Sequence, residues 1–514
     1  MARIAVIGAG MGALAAAARL ATGGHTVVVH ERAGTYGGGV GRYARDGFAF
    51  DTGPGLLLLP AVQRDLFVKT GRESLAQSVE LVQVDPASRH VFADGTDVSL
   101  PNASRSGVIE ALDTAFGAGS GERWSEVMVR AREAWEVTRR PLLEESLDAD
   151  PPRALGRDPY PAPARRGLFR RGTPSLAAVA ARELGDPRLA ALLESHALGH
   201  GFDPRVAPGA AAVLPYLEQT FGVWYVRGGG LRALADAVYE RCLARKVEFR
   251  FGAAVTEVLE KDGRAAGVAL ADGTRWEADA VVAAAPLPAL YRDRVLPWAG
   301  RDECPRPGPG DEPGRFTVHL ALRGPRPADT VHRTVVHAAD RDQDLERVFA
   351  ARGGAAPAAG ALTVTVMRPD DPGTRPDDAH EAVTLTVTVP RHAAGATGAP
   401  GALDWAAPGA ADAFAERVAA VAEAAVPGLR ERELWRAVRT PADTERDTGA
   451  PGGSVPRPAL AGAGGALLYA PNRSPLKGLY VAGGWAHPGG GLPHAGMSGA
   501  IVADLIAGGP GGSR

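Results

Sequence analysis

Residues 3–31 read RIAVIGAGMGALAAAARLATGGHTVVVHE, and the order of elements in this stretch decides the fold. Ile4 to Ile7 is a short apolar run, as expected of a parallel strand buried on both faces. Gly8-Ala-Gly10-Met-Gly-Ala13 follows at once and fits the spacing G-x-G-x-x-G/A. Ala13 to Ala21 is rich in helix formers, and Gly23-Gly24 stops the helix. Thr26 to Val29 is a second, β-branched run, closed by Glu31. The pattern predicts a βαβ unit with a dinucleotide-binding loop. Gly8 permits the tight turn, and Gly10 lets the backbone approach a pyrophosphate. The N-terminus of the helix then meets the phosphate charge. Glu31 is placed to accept from ribose hydroxyls, which argues against a phosphate on that ribose. It does not separate NAD from FAD.

Two further glycine-rich stretches extend this reading. Residues 36–54, YGGGVGRYARDGFAFDTGP, permit a second close approach to a pyrophosphate, with Arg42 and Arg45 supplying positive charge. Residues 483–499, GGWAHPGGGLPHAGMSG, follow a strand-like run, Leu479 to Ala482. From His494 to Ile506 the residues suit a helix, with Met497, Ile501, Val502 and Leu505 at helical spacing. The N-terminus of that helix would point back at the glycine loop.

Bulk properties set the frame. A chain of 514 residues calls for two or three domains. A hydrophobic content of 45% and a charged content of 23% are globular values. The formal net charge of −2 gives no basic face for a nucleic acid. Cys242 and Cys304 lie far apart and make neither a metal spacing nor a disulfide framework, so no metal site is expected. No apolar run of about 18 residues is present to span a membrane, and Ile4 to Ile7 is too short for the apolar core of a signal peptide. The expected location is the cytoplasm, with a peripheral place on the inner face of the membrane left open.

The stretches VIGAGMGALAAAARL, GGGVGRYARDGFAFDTGP, YVRGGGLRALADAV and GLYVAGGWAHPGGGLPHAGMSG together resemble the bacterial phytoene desaturase-like family of FAD-dependent oxidoreductases. They anchor nearly the whole chain, and the C-terminal stretch is most similar to desaturases of partly desaturated or hydroxylated acyclic carotenoids. The resemblance implies FAD along the long axis of one domain and an apolar substrate channel reaching the flavin. Three positions depart from the family's pattern. Gly39 stands where the family has an arginine after two glycines, with Arg42 nearby. Gly55 ends the D-T-G-P motif. Ala486-His487-Pro488-Gly489 replaces T-H-P-G.

Residues expected to hold the cofactor are Gly8, Gly10, Met11, Gly12, Glu31, Arg32, Gly38, Gly39, Arg42, Val255, Gly484, Gly491, Leu492 and Met497. By resemblance, Val255 offers backbone to the adenine; an ordinary sheet valine has the same residue type. The C-terminal glycine loop is expected to seat the isoalloxazine ring. Backbone N–H groups and the helix end would there stabilise charge on the reduced ring.

The expected fold class is α/β. A Rossmann-like, doubly wound FAD-binding domain (1–75, 226–300 and 465–514) carries inserted substrate regions. Residues 76–225 read as mainly helical and face substrate or membrane. Residues 301–464 read as a substrate domain with an antiparallel sheet, from the alternation in Phe316 to Leu322, Leu362 to Met367 and Val383 to Val389. Val255 to Leu259 and Ala266 to Leu270 read as a hairpin around Asp262-Gly263. The Ala/Gly/Pro-rich stretches 351–361 and 393–411 read as loops. Residues 151–172 hold six arginines and one aspartate, with Leu168 and Phe169 between arginine pairs. That composition suits either an anionic membrane surface or a solvated linker.

The expected reaction is desaturation of a lipophilic polyene, most concretely an acyclic carotenoid, with hydride passing to flavin N5. His487 and His494 are the candidate proton carriers; each also suits a structural role. Trp224 and Tyr225 are candidates to line the channel. Two alternatives stay open: a flavoenzyme reducing or cyclising a polyketide polyene, and a prenyl-binding protein of the same fold without catalysis. An amine oxidase is disfavoured by the broken Gly-Gly-Arg. The sequence does not give the oligomeric state.

Overall fold

The computed structural model describes residues 1–71, 73–147, 153–162, 173–296, 312–349, 362–395 and 402–508. Leu168, Phe169, most of the basic 151–172 stretch and the 351–361 stretch lie outside them.

The opening stretch forms β1 (Arg3–Ile7), α1 (Met11–Thr22) and β2 (Thr26–Glu31). Strands β9 (Glu248–Phe251), β13 (Ala280–Ala283) and β19 (Leu479–Val481) join them in a five-stranded sheet of order β19-β13-β1-β2-β9. Every pairing in it is parallel. Ile4, Ala5 and Val6 are buried from both faces, which is why their run is apolar without alternation. One face carries α1, α7 (Leu231–Ala244) and α10 (Leu492–Ala507). The other carries the hairpin β10 (Val255–Lys261) and β11 (Arg264–Leu270), with β12 (Arg275–Glu277) at its side. Asp262 and Gly263 turn that hairpin with φ of 52° and 72°, the two positive values a tight primed turn requires.

Helices α1 and α10 meet at backbone distance. A Cβ placed on Gly12 would lie 2.6 Å from the Gly483 Cα, and one on Gly499 would lie 2.5 Å from the Gly12 carbonyl oxygen. Residues nearly a chain length apart in sequence are thus locked together at the cofactor end of the sheet.

A second sheet of seven strands stands opposite. It contains β6 (Ser88–Val91), β7 (Asp97–Leu100), β14 (Gly314–Arg323), β15 (Arg333–Val336), β16 (Val364–Met367), β17 (His380–Val389) and β18 (Glu433–Arg439). Its order is β18-β14-β17-β16-β15-β6-β7. One face is apolar and closed by α8 (Ala410–Ala422), with Phe316, Val318, Leu320, Val364, Val366, Val383, Leu385 and Val387 in that core. Two features differ from the expectation of an antiparallel sheet confined to 301–464. Strands β6 and β7 come from the segment read as mainly helical. The β15–β6 pairing is parallel. Residues 88–100 are short and half polar, so their strand character rests on pairing with a distant partner rather than on local pattern. The α8 helix also begins inside the 393–411 stretch that composition marked as a loop.

The segment between the sheets is otherwise helical: α2 (Arg105–Phe116), α3 (Ser120–Arg139), α4 (Leu176–Leu184), α5 (Pro187–Gly199) and α6 (Val213–Phe221) share one core around Trp124 and Leu192. Two short pairings tie the units together. The hairpin β3 (Arg42–Arg45) and β4 (Phe48–Asp51) leads away from the second glycine cluster, and β5 (Glu80–Gln83) pairs with β8 (Trp224–Arg227). None of the described helices is long and apolar enough to cross a membrane.

Candidate functional site

At the end of β1 the chain turns at Gly8, whose φ is +92° and whose N–H donates to the His30 carbonyl at 2.8 Å. Gly10 caps α1, and a Cβ placed there would meet no atom within 4 Å. The first turn of α1, led by the buried Met11, therefore presents its N–H groups beside open backbone, the arrangement a pyrophosphate needs. Glu31 closes the loop from β2. Its carboxylate accepts from Ala9 N at 2.7 Å and from Ala33 N at 2.8 Å, so each oxygen is held and keeps a further lone pair for a ribose hydroxyl. The Arg32 guanidinium is turned elsewhere. It donates to the Arg446 carbonyl at 3.1 Å, near the C-terminal end of α9 (Pro441–Thr448), where helix carbonyls attract a cation. Its expected cofactor contact is thus limited to its backbone.

The second glycine cluster lies on the first. Gly37 N donates to Ala9 O at 2.8 Å, and a Cβ on Gly38 would be 3.0 Å from the Gly10 Cα. From there the backbone runs on without side chains: a Cβ on Gly53 would fall 2.0 Å from the Gly39 carbonyl oxygen. Gly53 in turn lines a cavity against the seven-stranded sheet, open on one side. The glycine track thus leads from the phosphate loop to the cavity mouth. Arg42 stands beside it, its guanidinium against Gly229. Val255 sits at the start of β10, half-buried and paired with Leu270.

Asp51 lines the cavity, and Asp371 holds the glycine turn behind it. Asp51, at the end of β4, accepts from Leu231 N at 2.9 Å and Arg232 N at 3.1 Å and so caps α7 across space. Burial pushes its carboxyl up to about 7, against the pull of those two N–H groups and of Arg42. Asp371 accepts from the Tyr225 hydroxyl at 2.9 Å, from Gly228 N at 2.9 Å, from Gly229 N at 2.8 Å and from Gly373 N at 2.8 Å. It fixes the 228–230 turn, whose glycines border the cavity. Tyr225 lines the cavity as expected. Trp224 instead packs on the first core, with Arg64 over its ring and its Nε1–H bonded to Phe221 O. Asp371 had no local sequence signal; Asp51 stood in the quoted D-T-G-P.

The C-terminal loop lies against the first turn of α1, with Gly483 at Gly12. Gly484 packs near Pro456, and Gly491 caps α10, with Leu492 as its first residue. Met497 points into a small apolar cluster with Leu59, Leu143 and Val213. His487 is fully buried. Its Nε2 lies 2.9 Å from the Glu145 carbonyl oxygen, and its own carbonyl accepts from Asn472 Nδ2 and Ser498 Oγ, both at 2.7 Å. Burial pushes the imidazole down to about 4. His494 is pushed to about 3, by burial first and then by His200 and His487. Both keep an unpartnered, buried Nδ1. The Ser498 hydroxyl also accepts from Gly483 N at 3.0 Å, so one side chain of α10 holds both ends of the loop.

Among the described residues no group of three metal-ligating side chains exists. What the site offers is a backbone cradle where the first turns of α1 and α10 meet, Gly12 against Gly483 and Ala495, with the second glycine cluster laid over Gly10. That shape and donor set fit FAD, whose pyrophosphate the N–H groups after Gly10 could hold.

A Rossmann-like sheet carrying a cradle of this kind, faced by a second sheet, defines a flavoprotein oxidoreductase. The sequence profile of the flavin containing amine oxidoreductase family matches residues 14–316, and the chain belongs to that family. Its cofactor is FAD. Over its full length it is 28% identical to a 4,4'-diapolycopene oxygenase of Methylomonas sp., covering 98% of each chain. It is 29% identical to a neurosporene-forming phytoene desaturase of Rhodobacter capsulatus, covering 99% of this chain and 95% of the relative. Among solved structures, an oxidoreductase from Methanosarcina mazei shares the fold, with a TM-score of 0.63 at 17% identity over 98% of this chain and 100% of the other.

Proposed function

We propose that the protein is an FAD-dependent desaturase of a lipophilic polyene of the acyclic carotenoid type. The observation that carries this reading is the glycine track from the phosphate loop to a one-sided cavity against the seven-stranded sheet, in a chain whose full length matches enzymes named for carotenoid chemistry. FAD, when bound, supplies the acceptor for the hydride leaving the substrate carbon.

The chain's own residues position and shield. Asp371 and Asp51 hold the 228–230 turn and the start of α7, so the cavity wall next to the cofactor is rigid. The buried β14, β16 and β17 cover the opposite side and exclude water. His487 acts as a positioning residue: its hydrogen bonds tie the C-terminal loop to Glu145, Asn472 and Ser498. His494, held neutral with a free Nδ1 above Gly491, is the proton acceptor we favour. A polyene of this kind resides in lipid, so we infer contact with a membrane surface. The arginine-rich 151–172 segment has the composition for it.

The test is expression in a host that accumulates acyclic carotenoids, with Gly10→Ala as control. A red shift in the absorption of extracted lipid, absent from the control, is the expected result. An unchanged spectrum from cells containing flavin-loaded protein would refute the reading.

A further inference from the structure

Six of the chain's 12 histidines fall in one row: His487 and His494 at the C-terminal loop, His200 and His196 at the end of α5, and His90 and His337 at β6 and β15. Burial pushes His494 and His337 down to about 3, so neither ring keeps a proton at neutral pH. A proton acceptor of that kind works repeatedly only if a neighbour takes the proton on.

The neighbours are present. After burial, His200 acts on the His494 ring more strongly than any other ionisable group. The Nδ1 of His200 lies 2.8 Å from the His196 carbonyl oxygen, and the Nδ1 of His196 lies 3.1 Å from the Leu192 carbonyl oxygen. A carbonyl only accepts, so each Nδ1 carries the hydrogen and each Nε2 is the nitrogen that takes a proton. The His196 Nε2 stands 3.5 Å from Glu218 Oε2. With a neutral ring, two lone pairs would face each other there, so the space between them is a place for a proton. Burial alone would raise the Glu218 carboxyl, but Arg333, at 2.5 and 3.1 Å, and His196 hold it well below the usual range. The last turn of α5 adds helix carbonyls that favour a cation. Beyond it, the His90 ring lies 6.3 Å from that of His196 between centroids, a gap one bridging water spans. His90 Nδ1 is 2.9 Å from His337 Nε2. His337 lines a pocket, open on one side, with Glu194, Ser195, Arg341 and Asp344.

We propose that this row carries the substrate's proton from His494 through His200, the His196–Glu218 pair, His90 and His337 to the surface. The inference rests on the desaturase reading, with His494 as acceptor, and deepens it. In the desaturation one C–H bond gives its hydrogen, with both electrons, to FAD. The neighbouring C–H bond gives a proton to His494, and its electron pair becomes the new C=C bond. Each ring then takes one proton and passes one on; no electron moves along the row. One proton leaves at His337 for each double bond formed.

The test mixes purified, FAD-loaded protein anaerobically with an acyclic hydrocarbon polyene in detergent, in weak buffer holding a pH-indicator dye. Stopped flow reads flavin bleaching and dye together. In the wild type the proton should appear in step with bleaching. His196→Gln and His200→Gln retain an N–H for the backbone carbonyl but take no proton. In both, first-turnover bleaching should keep the wild-type rate while proton release lags about tenfold or more. A purely structural role would not separate the two signals. Flavin content and melting temperature are recorded alongside. Release in step with bleaching in either variant that keeps its flavin would overturn the path and leave the desaturase reading intact. So would bleaching of the wild type with no proton released. Loss of flavin, or bleaching slowed as much as release, in both variants would assign these side chains to the fold or the reacting geometry and overturn the path too. No bleaching of the wild type would refute the desaturase reading, and the path with it.

Discussion

Gly10→Ala and Gly12→Ala, two residues apart, should fail in opposite ways. Gly10 has φ −72° and ψ 170°, ordinary for any residue, and an added Cβ meets no atom within 4 Å. The alanine should cost the apoprotein almost nothing. A stiffer unfolded chain adds about 0.4–1 kcal/mol of stability, and a poorer helix cap removes a few tenths to about 1 kcal/mol. The same methyl occupies the space the pyrophosphate needs. Overlap of this kind costs about 1–3 kcal/mol, which is a roughly 10- to 100-fold weaker Kd for FAD. At Gly12 the Cβ lands 2.6 Å from the Gly483 Cα and 3.0 Å from the Ala495 carbonyl oxygen. Both are backbone atoms and neither can rotate away, so the same 1–3 kcal/mol range falls on the fold itself, at roughly its upper end. The assay is thermal melting of both apoproteins followed by titration with FAD, read by quenching of flavin fluorescence. Gly10→Ala should melt with wild type and bind weakly; Gly12→Ala should melt lower before any FAD is added. Wild-type affinity in Gly10→Ala would show that the pyrophosphate does not lie over residue 10.

Asp371→Ala should lower the melting temperature and release flavin, because it strands the Tyr225 hydroxyl and three backbone N–H groups; Asp371→Asn should recover part of the loss, and unchanged melting would refute the clamp. Acid should destabilise the protein below pH 6.5, because His487, His494, His319 and His332 are all held neutral by burial and charge only on unfolding. His487 is neutral when folded, to about pH 4, but protonates near 6.5 when unfolded, so stability present at pH 7 is lost on acidification; this one group contributes about 2 kcal/mol of loss at pH 5. Asp51, raised to about 7, acts in the opposite sense between pH 4 and 7, so Asp51→Asn should steepen the acid loss seen in melting curves at pH 7, 6 and 5. Cys242 is fully buried, its thiol raised to about 12 by burial and bonded to the Leu14 carbonyl at 3.3 Å. A maleimide should label it only after denaturation, as read by peptide mass mapping.

The elements legible in the sequence are those whose cause is local. The βαβ unit is specified within 31 residues by an apolar run, a glycine spacing and a helix-forming stretch. The β10–β11 hairpin is specified by Asp262-Gly263, and α10 by the spacing of Ile501, Val502 and Leu505. The alternation in β14 and β17 announced an antiparallel sheet. What the sequence did not show depends on partners distant in the chain. Strand β6 gains its ladder from β15, and Asp371 meets Tyr225 and the 228–230 turn only once two sheets face each other. The cavity has the same origin, since its walls come from β4, the 228–230 turn, β16 and β17. The direction of Arg32 is of the same kind: its position after Glu31 is fixed by β2, but its guanidinium is held by a carbonyl of α9.

Two kinds of wall meet at the cavity, and they respond to substitution differently. On the proposed cofactor side the wall is largely main chain at Gly53, Gly229 and Gly230, with the Asp51 carboxylate packed on Gly230. A Cβ on Gly230 would fall 2.1 Å from Asp51 Oδ2, and one on Gly53 2.0 Å from Gly39 O, so this side has little room to vary. The proposed substrate side is side chain on a regular sheet. Thr384, Thr386, Thr365 and Met367 project from strands whose other face is anchored by Val383, Leu385, Val364 and Val366. Exchanging threonine for valine there alters hydrogen bonding while keeping β-branching and volume, so the ladder and the core behind it persist. Flavin binding and substrate choice are therefore separable in this fold. Changes that redirect the substrate should gather on β14, β16 and β17, and changes in the glycine track should abolish flavin binding whatever the substrate.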